Sequence, residues 1–131
     1  MLAVCETLDE ARVLVVDDEP DICRVVSDVL ESRGAVAVGA ADGNEALGRY
    51  ESCVFDLVWL DVRLPGMDGL RVLKRIQALD PFARVVMMTA FGDCDTYIDA
   101  MSSGAVAMVK KPFTARQIIA VSEHALKRDG E

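Results

Sequence analysis

The sequence predicts an α/β domain in which five parallel strands form one sheet covered by five helices, some on each face. Five short apolar runs alternate along the chain with five longer segments of helical periodicity. The runs do not alternate between apolar and polar residues, which is typical of strands buried on both faces. Strands joined by helical crossovers lie parallel, and right-handed crossovers favour a doubly wound arrangement.

The first strand is predicted at residues 13–16, because this apolar run ends abruptly at Asp17. Pro20 then suits the first turn of a helix, and apolar residues recur at helical spacing after it. A short second strand at residues 36–38 precedes a second helix, which begins after Asp42.

The third strand is predicted at residues 55–60, followed by a turn that contains Pro and Gly. Asp68 stands where the third helix begins and is expected to cap it rather than to bind metal. This helix stops before Pro81, and residues 85–88 form the fourth strand.

The fourth helix falls within residues 92–104 and is expected to turn Ile98 and Met101 toward the core. The last strand is predicted at residues 106–109. The final helix opens with a capping box at residues 114–117, where a threonine precedes a glutamine by three positions.

The length of 131 residues suits one domain, which is placed at residues 12–128 between a loose leader (1–11) and a short tail (129–131). The net charge of -8 argues against direct nucleic-acid binding, which needs clustered Lys and Arg. No apolar run approaches the length of a membrane span. The four cysteines are widely separated, which indicates free thiols and a cytoplasmic protein.

Polar residues follow four of the predicted strands at the point where each strand ends. Asp17 and Asp18 follow the first strand, Asp61 the third, Thr89 the fourth and Lys111 the fifth. Because the carboxyl ends of parallel strands lie along one edge, these side chains are expected to converge where open α/β sheets place their ligands.

Three carboxylates held together repel one another unless a cation joins them. Hard oxygen ligands that leave room for water and phosphate suit Mg²⁺. An ionised Asp61 can then attack phosphorus and form an aspartyl-phosphate. Lys111 would supply a positive charge, and Thr89 a hydroxyl donor, to the phosphoryl oxygens.

Four separated motifs occur in order: Val-Asp-Asp-Glu, Leu-Asp-Val-Arg-Leu-Pro-Gly-Met-Asp-Gly, Met-Thr-Ala and Lys-Lys-Pro-Phe. This pattern resembles the receiver domain of bacterial two-component response regulators and covers residues 12–127. The segment from residue 89 to 111 is also similar to receivers of the nitrogen-regulation type. The resemblance implies a flavodoxin-like fold with strand order 2-1-3-4-5.

The resemblance implies that Asp61 is the phospho-acceptor of a Mg²⁺-dependent reaction. Asp18 would be a direct metal ligand, and Asp17 would act largely through water. The backbone carbonyl of Arg63 would complete the protein's share of the metal site.

The resemblance also assigns the residues that respond to phosphorylation. Thr89 would be the switch hydroxyl, and Lys111, rather than Lys110, the phosphate-pairing cation. The Lys111-Pro112 bond is expected to be cis. Met108 replaces the Tyr or Phe that receivers usually carry three residues before this lysine, and its flexible thioether can fill the same space.

Arg63 and Phe91 are expected to border the acyl phosphate and to restrict attacking water. We predict that they set the phosphate lifetime. Exchanging both residues should change the dephosphorylation rate, and an unchanged rate would contradict the prediction.

The implied partners are a sensor histidine kinase and an output domain or effector, with the fourth helix, fifth strand and fifth helix as the responding surface. A homodimer is possible.

One alternative is a pseudo-receiver, an interaction module that is not phosphorylated, which the substitution at Met108 keeps open. A second is a phosphatase or transferase that also forms an aspartyl-phosphate. Phosphatases resembling the haloacid dehalogenase family carry a second acid two residues after the nucleophile, and Arg63 at that position disfavours this alternative. A flavin-binding fold is disfavoured because the acids after the first strand would repel phosphate. The acids after the first strand could also simply cap a helix.

Overall fold

The structure is a computed structural model that describes residues 7–90 and 94–127. Strands and helices alternate in these ranges as predicted. The strands are β1 (Arg12–Val16), β2 (Val36–Ala40), β3 (Leu57–Asp61), β4 (Val85–Thr89) and β5 (Ala107–Lys110). The helices are α1 (Pro20–Glu31), α2 (Gly43–Ser52), α3 (Gly69–Leu79), α4 (Cys94–Ser102) and α5 (Ala115–Lys127).

The five strands form one parallel sheet in the order β2-β1-β3-β4-β5, which confirms the predicted fold and strand order. The register aligns the carboxyl ends of the strands. Asp61 lies opposite Met88, and Thr89 lies opposite Lys110. This alignment brings the polar residues that end the strands to one edge of the sheet.

Each face of the sheet has its own hydrophobic core. Along β3, Leu57 and Trp59 face the core formed with α1 and α5, whereas Val58 and Leu60 face the core formed with α2, α3 and α4. All four side chains are at most 1% exposed. This burial on both faces explains why the strand is apolar without alternation.

The strand boundaries differ from the prediction by one or two residues. β2 is longer than predicted because it pairs with β1 over its whole length. β3 begins at Leu57, where its pairing with β1 begins, and the ring of Phe55 before it stacks on Tyr50 of α2 with 6.2 Å between centroids. β5 ends at Lys110, which pairs with Thr89.

Two predicted helix caps are confirmed. The Asp68 carboxylate accepts the Leu70 N–H at 2.8 Å and caps α3. At α5 the Thr114 N–H donates to Gln117 Oε1 at 2.8 Å, and the Gln117 N–H donates to Thr114 Oγ1 at 3.1 Å. This reciprocal pair satisfies two backbone donors at the start of the helix.

The predicted orientation of Ile98 is wrong, because its side chain is 59% exposed. Ala100 instead is fully buried, and Met101 packs against the core as predicted. Ala100 and Ile98 are two positions apart, about 200° around the helix, so the burial of Ala100 turns Ile98 outward. Tyr97 on the same helix is also exposed, at 50%.

The segment before β1 was expected to be loose, and this is wrong for residues 7–11. Leu8 and Ala11 are buried in the core shared by α1 and α5. The Glu10 N–H also donates to the Gly34 carbonyl at 2.8 Å. These contacts extend the packed region ahead of the first strand. Among the described residues, no helix has both the length and the apolar character needed to cross a membrane.

Candidate functional site

Polar side chains from β1, β3, β4 and β5 lie at the carboxyl edge of the sheet, as predicted. Asp17 follows β1, Asp61 ends β3 and Thr89 ends β4, and all three residues are buried. Lys111 follows β5 and reaches toward the two acids. The parallel register therefore assembles this site from residues that are far apart in the sequence.

Lys111 binds both buried carboxylates. Its Nζ donates to Asp17 Oδ2 at 2.8 Å and to Asp61 Oδ2 at 3.2 Å. The remaining oxygens accept backbone donors: Asp17 Oδ1 binds the Glu19 N–H at 2.9 Å, and Asp61 Oδ1 binds the Arg63 N–H at 3.2 Å. Each carboxylate is thereby fixed by one backbone bond and one charged partner.

The electrostatics leave Asp61 with an unfavourable negative charge. Burial raises the pKa of Asp61, and the neighbouring Asp17 charge raises it further, while the Arg63 N–H and Lys111 oppose these effects. Burial alone would lower the pKa of Lys111. Bonding to Asp17 and the charges of both acids outweigh burial, so the pKa of Lys111 is raised. Two close acids with one ammonium therefore favour an additional cation.

Asp17, Asp18 and Asp61 form an acidic cluster that could bind a metal ion. One carboxylate oxygen from each residue lies within 4.8 Å of the others. Asp18 is exposed and Asp17 is buried, so the cluster opens to solvent on the Asp18 side. Hard carboxylate oxygens with room for water match the ligand preference of Mg²⁺.

The loop after β3 is held close to Asp61 at both ends. The Val62 N–H donates to the Met88 carbonyl at 2.9 Å, and the Gly69 N–H donates to the Val62 carbonyl at 2.7 Å. A Cβ at Gly69 would overlap the Asp61 carbonyl oxygen. Glycine is therefore needed where α3 begins against the strand that carries Asp61.

The structure separates the two lysines that follow one another at the end of β5. Lys110 is exposed, whereas Lys111 points into the acidic cluster, as predicted. The Lys111 N–H donates to the Thr89 carbonyl at 2.7 Å, which joins the ends of β4 and β5. The Lys111-Pro112 bond is cis, as expected.

Met108 is half-buried and packs with the core formed by α2, α3 and α4. It lies opposite Met87 in the sheet. Phe91, expected beside Arg63, lies outside the described residues.

Sequence reasoning treated Glu19 only as a possible helix cap, but its carboxylate lies 3.5 Å from Lys111 Nζ. The Glu19 side chain makes no capping hydrogen bond to α1. Its position directly after Asp17 and Asp18 could have indicated that Glu19 also lies near Lys111. Glu19 is exposed and therefore adds a weaker, solvent-screened interaction.

Comparisons with known proteins agree with this geometry. The model of the family described as "Response regulator receiver domain" matches residues 13–123. The transcriptional regulatory protein ZraR of Escherichia coli (strain K12) is 38% identical over 120 residues, which are 92% of this chain and 27% of that protein. The chain thus spans about a quarter of the length of that relative.

Two other relatives match over most of their own length. The chemotaxis protein CheY of Bacillus subtilis (strain 168) is 36% identical over 109 residues, covering 82% of this chain and 91% of that protein. The crystal structure of the receiver domain of NtrX from Brucella abortus superposes with a TM-score of 0.84 at 38% identity. That match covers 88% of this chain and 98% of the other.

Proposed function

The chain belongs to the response regulator receiver domain family, and on this premise we propose that a sensor histidine kinase phosphorylates it on Asp61. The similarity to NtrX confirms the expected likeness to nitrogen-regulation-type receivers. The observation that carries the proposal is the contact of Lys111 with Asp61 and Asp17 at the sheet edge. It gives one carboxylate a position and a charge environment suited to phosphoryl transfer.

In the proposed reaction an Asp61 oxygen attacks the phosphorus of the donor. A phosphorus–oxygen bond to Asp61 forms, and the bond from phosphorus to the donor breaks. The Arg63 N–H holds the second Asp61 oxygen and so orients the carboxylate. Lys111 Nζ is already within hydrogen-bonding distance of Asp61 Oδ2. As negative charge develops on the phosphoryl oxygens, Nζ can donate to them and stabilise that charge.

We infer that Asp17, Asp18 and Asp61, with the backbone carbonyl of Arg63, would hold Mg²⁺. The three carboxylates supply oxygens at suitable separation. When bound, Mg²⁺ would neutralise the negative charge that accumulates on the phosphate and the acids. Asp17 also orients Lys111, because the two side chains are bonded at 2.8 Å.

The switch in this proposal runs through Thr89 and Met108. Thr89 ends β4 beside the acceptor strand, and its carbonyl is bonded to Lys111. A shift of its hydroxyl toward the phosphate would change the packing around the half-buried Met108. Population bias between two conformations would then alter the surface of α4, β5 and α5, where a partner, an output domain or a second copy binds.

We further propose that the chain turns over no external substrate and catalyses only its own phosphorylation and dephosphorylation. Arg63 stands two residues after the acceptor, where a hydrolase with an aspartate nucleophile would need an acid. We place the protein in the cytoplasm, in keeping with the free thiols of Cys23 and Cys53.

Phosphorylation of Asp61 is tested by mass spectrometry after incubation with Mg²⁺ and acetyl phosphate. Wild type should gain the mass of one phosphoryl group, and Asp61→Asn should gain none. Asp68→Asn is a matched control, since Asp68 caps α3, and it should be modified like wild type. Beryllofluoride binding should follow the same pattern. No modification of wild type would favour the pseudo-receiver, and sustained phosphate release from unrelated esters would favour a phosphatase.

A further inference from the structure

A groove separates α2 from α3 and has a volume of about 510 Å³. Its lining includes Leu47 and Glu51 from α2 and Arg71, Lys74, Arg75 and Leu79 from α3. None of the residues assigned to phosphorylation lines it. The proposed function therefore gives this groove no role.

The α3 side of the groove is strongly basic. Arg71, Lys74 and Arg75 are exposed, and α3 contains no acidic residue. Within residues 7–90 and 94–127, none of the three side chains has a carboxylate at ion-pair distance. Arg71 and Arg75 are one helical turn apart and so share one face of α3. They form a local positive patch in a chain of net charge -8.

The groove also offers apolar surface. Leu79 is 50% exposed at the end of α3, and Leu47 is only partly covered by the core. Cations beside apolar surface fit a helix that presents carboxylates next to apolar side chains. A nucleic acid or an anionic membrane would meet the repulsion of the whole chain and would leave the apolar surface unused.

The outer face of α4 has this complementary chemistry. Asp95 and Asp99 are one helical turn apart, the same spacing as Arg71 and Arg75. Ile98, three positions after Asp95 and therefore on the same face of the helix, is 59% exposed. The chain therefore carries both a basic groove and an acidic, apolar helix that matches it.

We propose that the α2–α3 groove binds α4 of a second copy of this chain. In this contact Arg71 and Arg75 pair with Asp95 and Asp99, and the exposed side chain of Ile98 enters the groove. At an ionic strength of 0.15 M the Debye length is about 8 Å, so repulsion between the two negative chains is screened while contact pairs persist. The contact uses α4, which belongs to the surface that the proposed function alters, but none of the pairing residues belongs to the proposed phosphorylation site, so unphosphorylated chains should already associate.

Charge reversal tests this contact by sedimentation equilibrium of the full chain. A groove variant combines Arg71→Glu with Arg75→Glu, and a helix variant combines Asp95→Lys with Asp99→Lys. In each variant alone, groove and helix carry the same charge, so self-association should weaken at least tenfold. In an equimolar mixture every groove again faces a helix of opposite charge, and association should return to within about threefold of wild type.

Two controls separate the contact from changes in net charge and folding. Arg24→Glu with Arg33→Glu makes the same charge change near α1 and should leave association unchanged. Leu79→Ser changes no charge and should weaken association at least threefold. Thermal unfolding of each variant verifies the fold.

Three results would overturn the proposal. The first is a wild type that stays monomeric up to about 1 mM. The second is a mixture of the groove and helix variants that does not associate. The third is self-association that weakens as much in the α1 control as in the groove variant.

Discussion

Lys111→Met should slow phosphorylation of Asp61 by acetyl phosphate by about 10²–10³-fold, the usual effect of removing one preorganised group that stabilises transition-state charge. Lys111 Nζ already contacts Asp61 Oδ2 at 3.2 Å, so the loss acts directly at the proposed acceptor. Lys110→Met is the matched control, because it removes the same charge from the preceding, exposed residue. Its rate should stay within about twofold of wild type. Equal slowing in both variants would show that Lys111 acts only through net charge.

The same substitution should destabilise the metal-free fold by about 1.5–3 kcal/mol at neutral pH, the cost of losing hydrogen bonds to charged groups. The dependence on pH follows from Asp61, whose pKa is raised from its ordinary value of 3.8. Because the pKa of Asp61 is higher in the folded than in the unfolded state, protonation of Asp61 stabilises the folded state. This stabilisation is fully present below pH 3.8 and is lost as the pH rises through the raised pKa. Lys111 opposes the rise, so its removal raises the pKa of Asp61 further. The deficit of Lys111→Met should therefore shrink toward acid pH in urea unfolding experiments with EDTA.

Trp59→Ala should lower the free energy of unfolding by about 3–5 kcal/mol, because it empties the centre of the core shared by α1 and α5. Trp59 and Ser122 are both fully buried, and the indole N–H donates to Ser122 Oγ at 2.9 Å. The indole also meets the ring of Phe113 edge to face, with 5.8 Å between centroids. Trp59 therefore joins β3, which carries Asp61, to α5.

The hydrogen bond within this core can be measured separately from packing. Ser122→Ala should cost about 1–3 kcal/mol, because the buried indole N–H is left without an acceptor. In a Trp59→Phe background no such donor exists, and the same serine change should cost much less. Ser32→Ala is a control, since its exposed hydroxyl bonds only the Val29 carbonyl of its own helix. If Ser122→Ala lowered the free energy of unfolding equally in both backgrounds, the hydrogen bond would not be the cause of the loss.

The spacing of apolar residues along the chain was sufficient to predict the strands and helices of this fold. The runs around Val15, Trp59 and Val86 are apolar on both faces, and this property belongs to central parallel strands regardless of tertiary detail. The caps Asp68 and Thr114 were also predictable, because each satisfies backbone groups within a few residues of itself. Such local interactions leave a local signature in the sequence.

The sequence also predicted which polar residues would lie together at the sheet edge. Asp17, Asp61, Thr89 and Lys111 each follow an apolar strand, and parallel strands bring their ends together. What could not be predicted were the bonds between them, since Asp17 and Lys111 are 94 positions apart. The pairing of Lys111 with two acids at once, and its approach to Glu19, depend on how β1, β3 and β5 are spaced.

The predictions of side-chain burial failed where burial depends on how the elements pack against one another. Ile98 has the character of a core residue, but α4 turns Ala100 toward the core instead and leaves Ile98 in solvent. Leu8 precedes every predicted element, yet it fills the core beside α1. The sequence by itself determined the fold and the set of acidic and basic residues that gather around Asp61, because these show in local pattern and strand order. Only the tertiary structure decided which apolar side chains are covered and which charged atoms touch, because both depend on distances between elements that no single segment encodes.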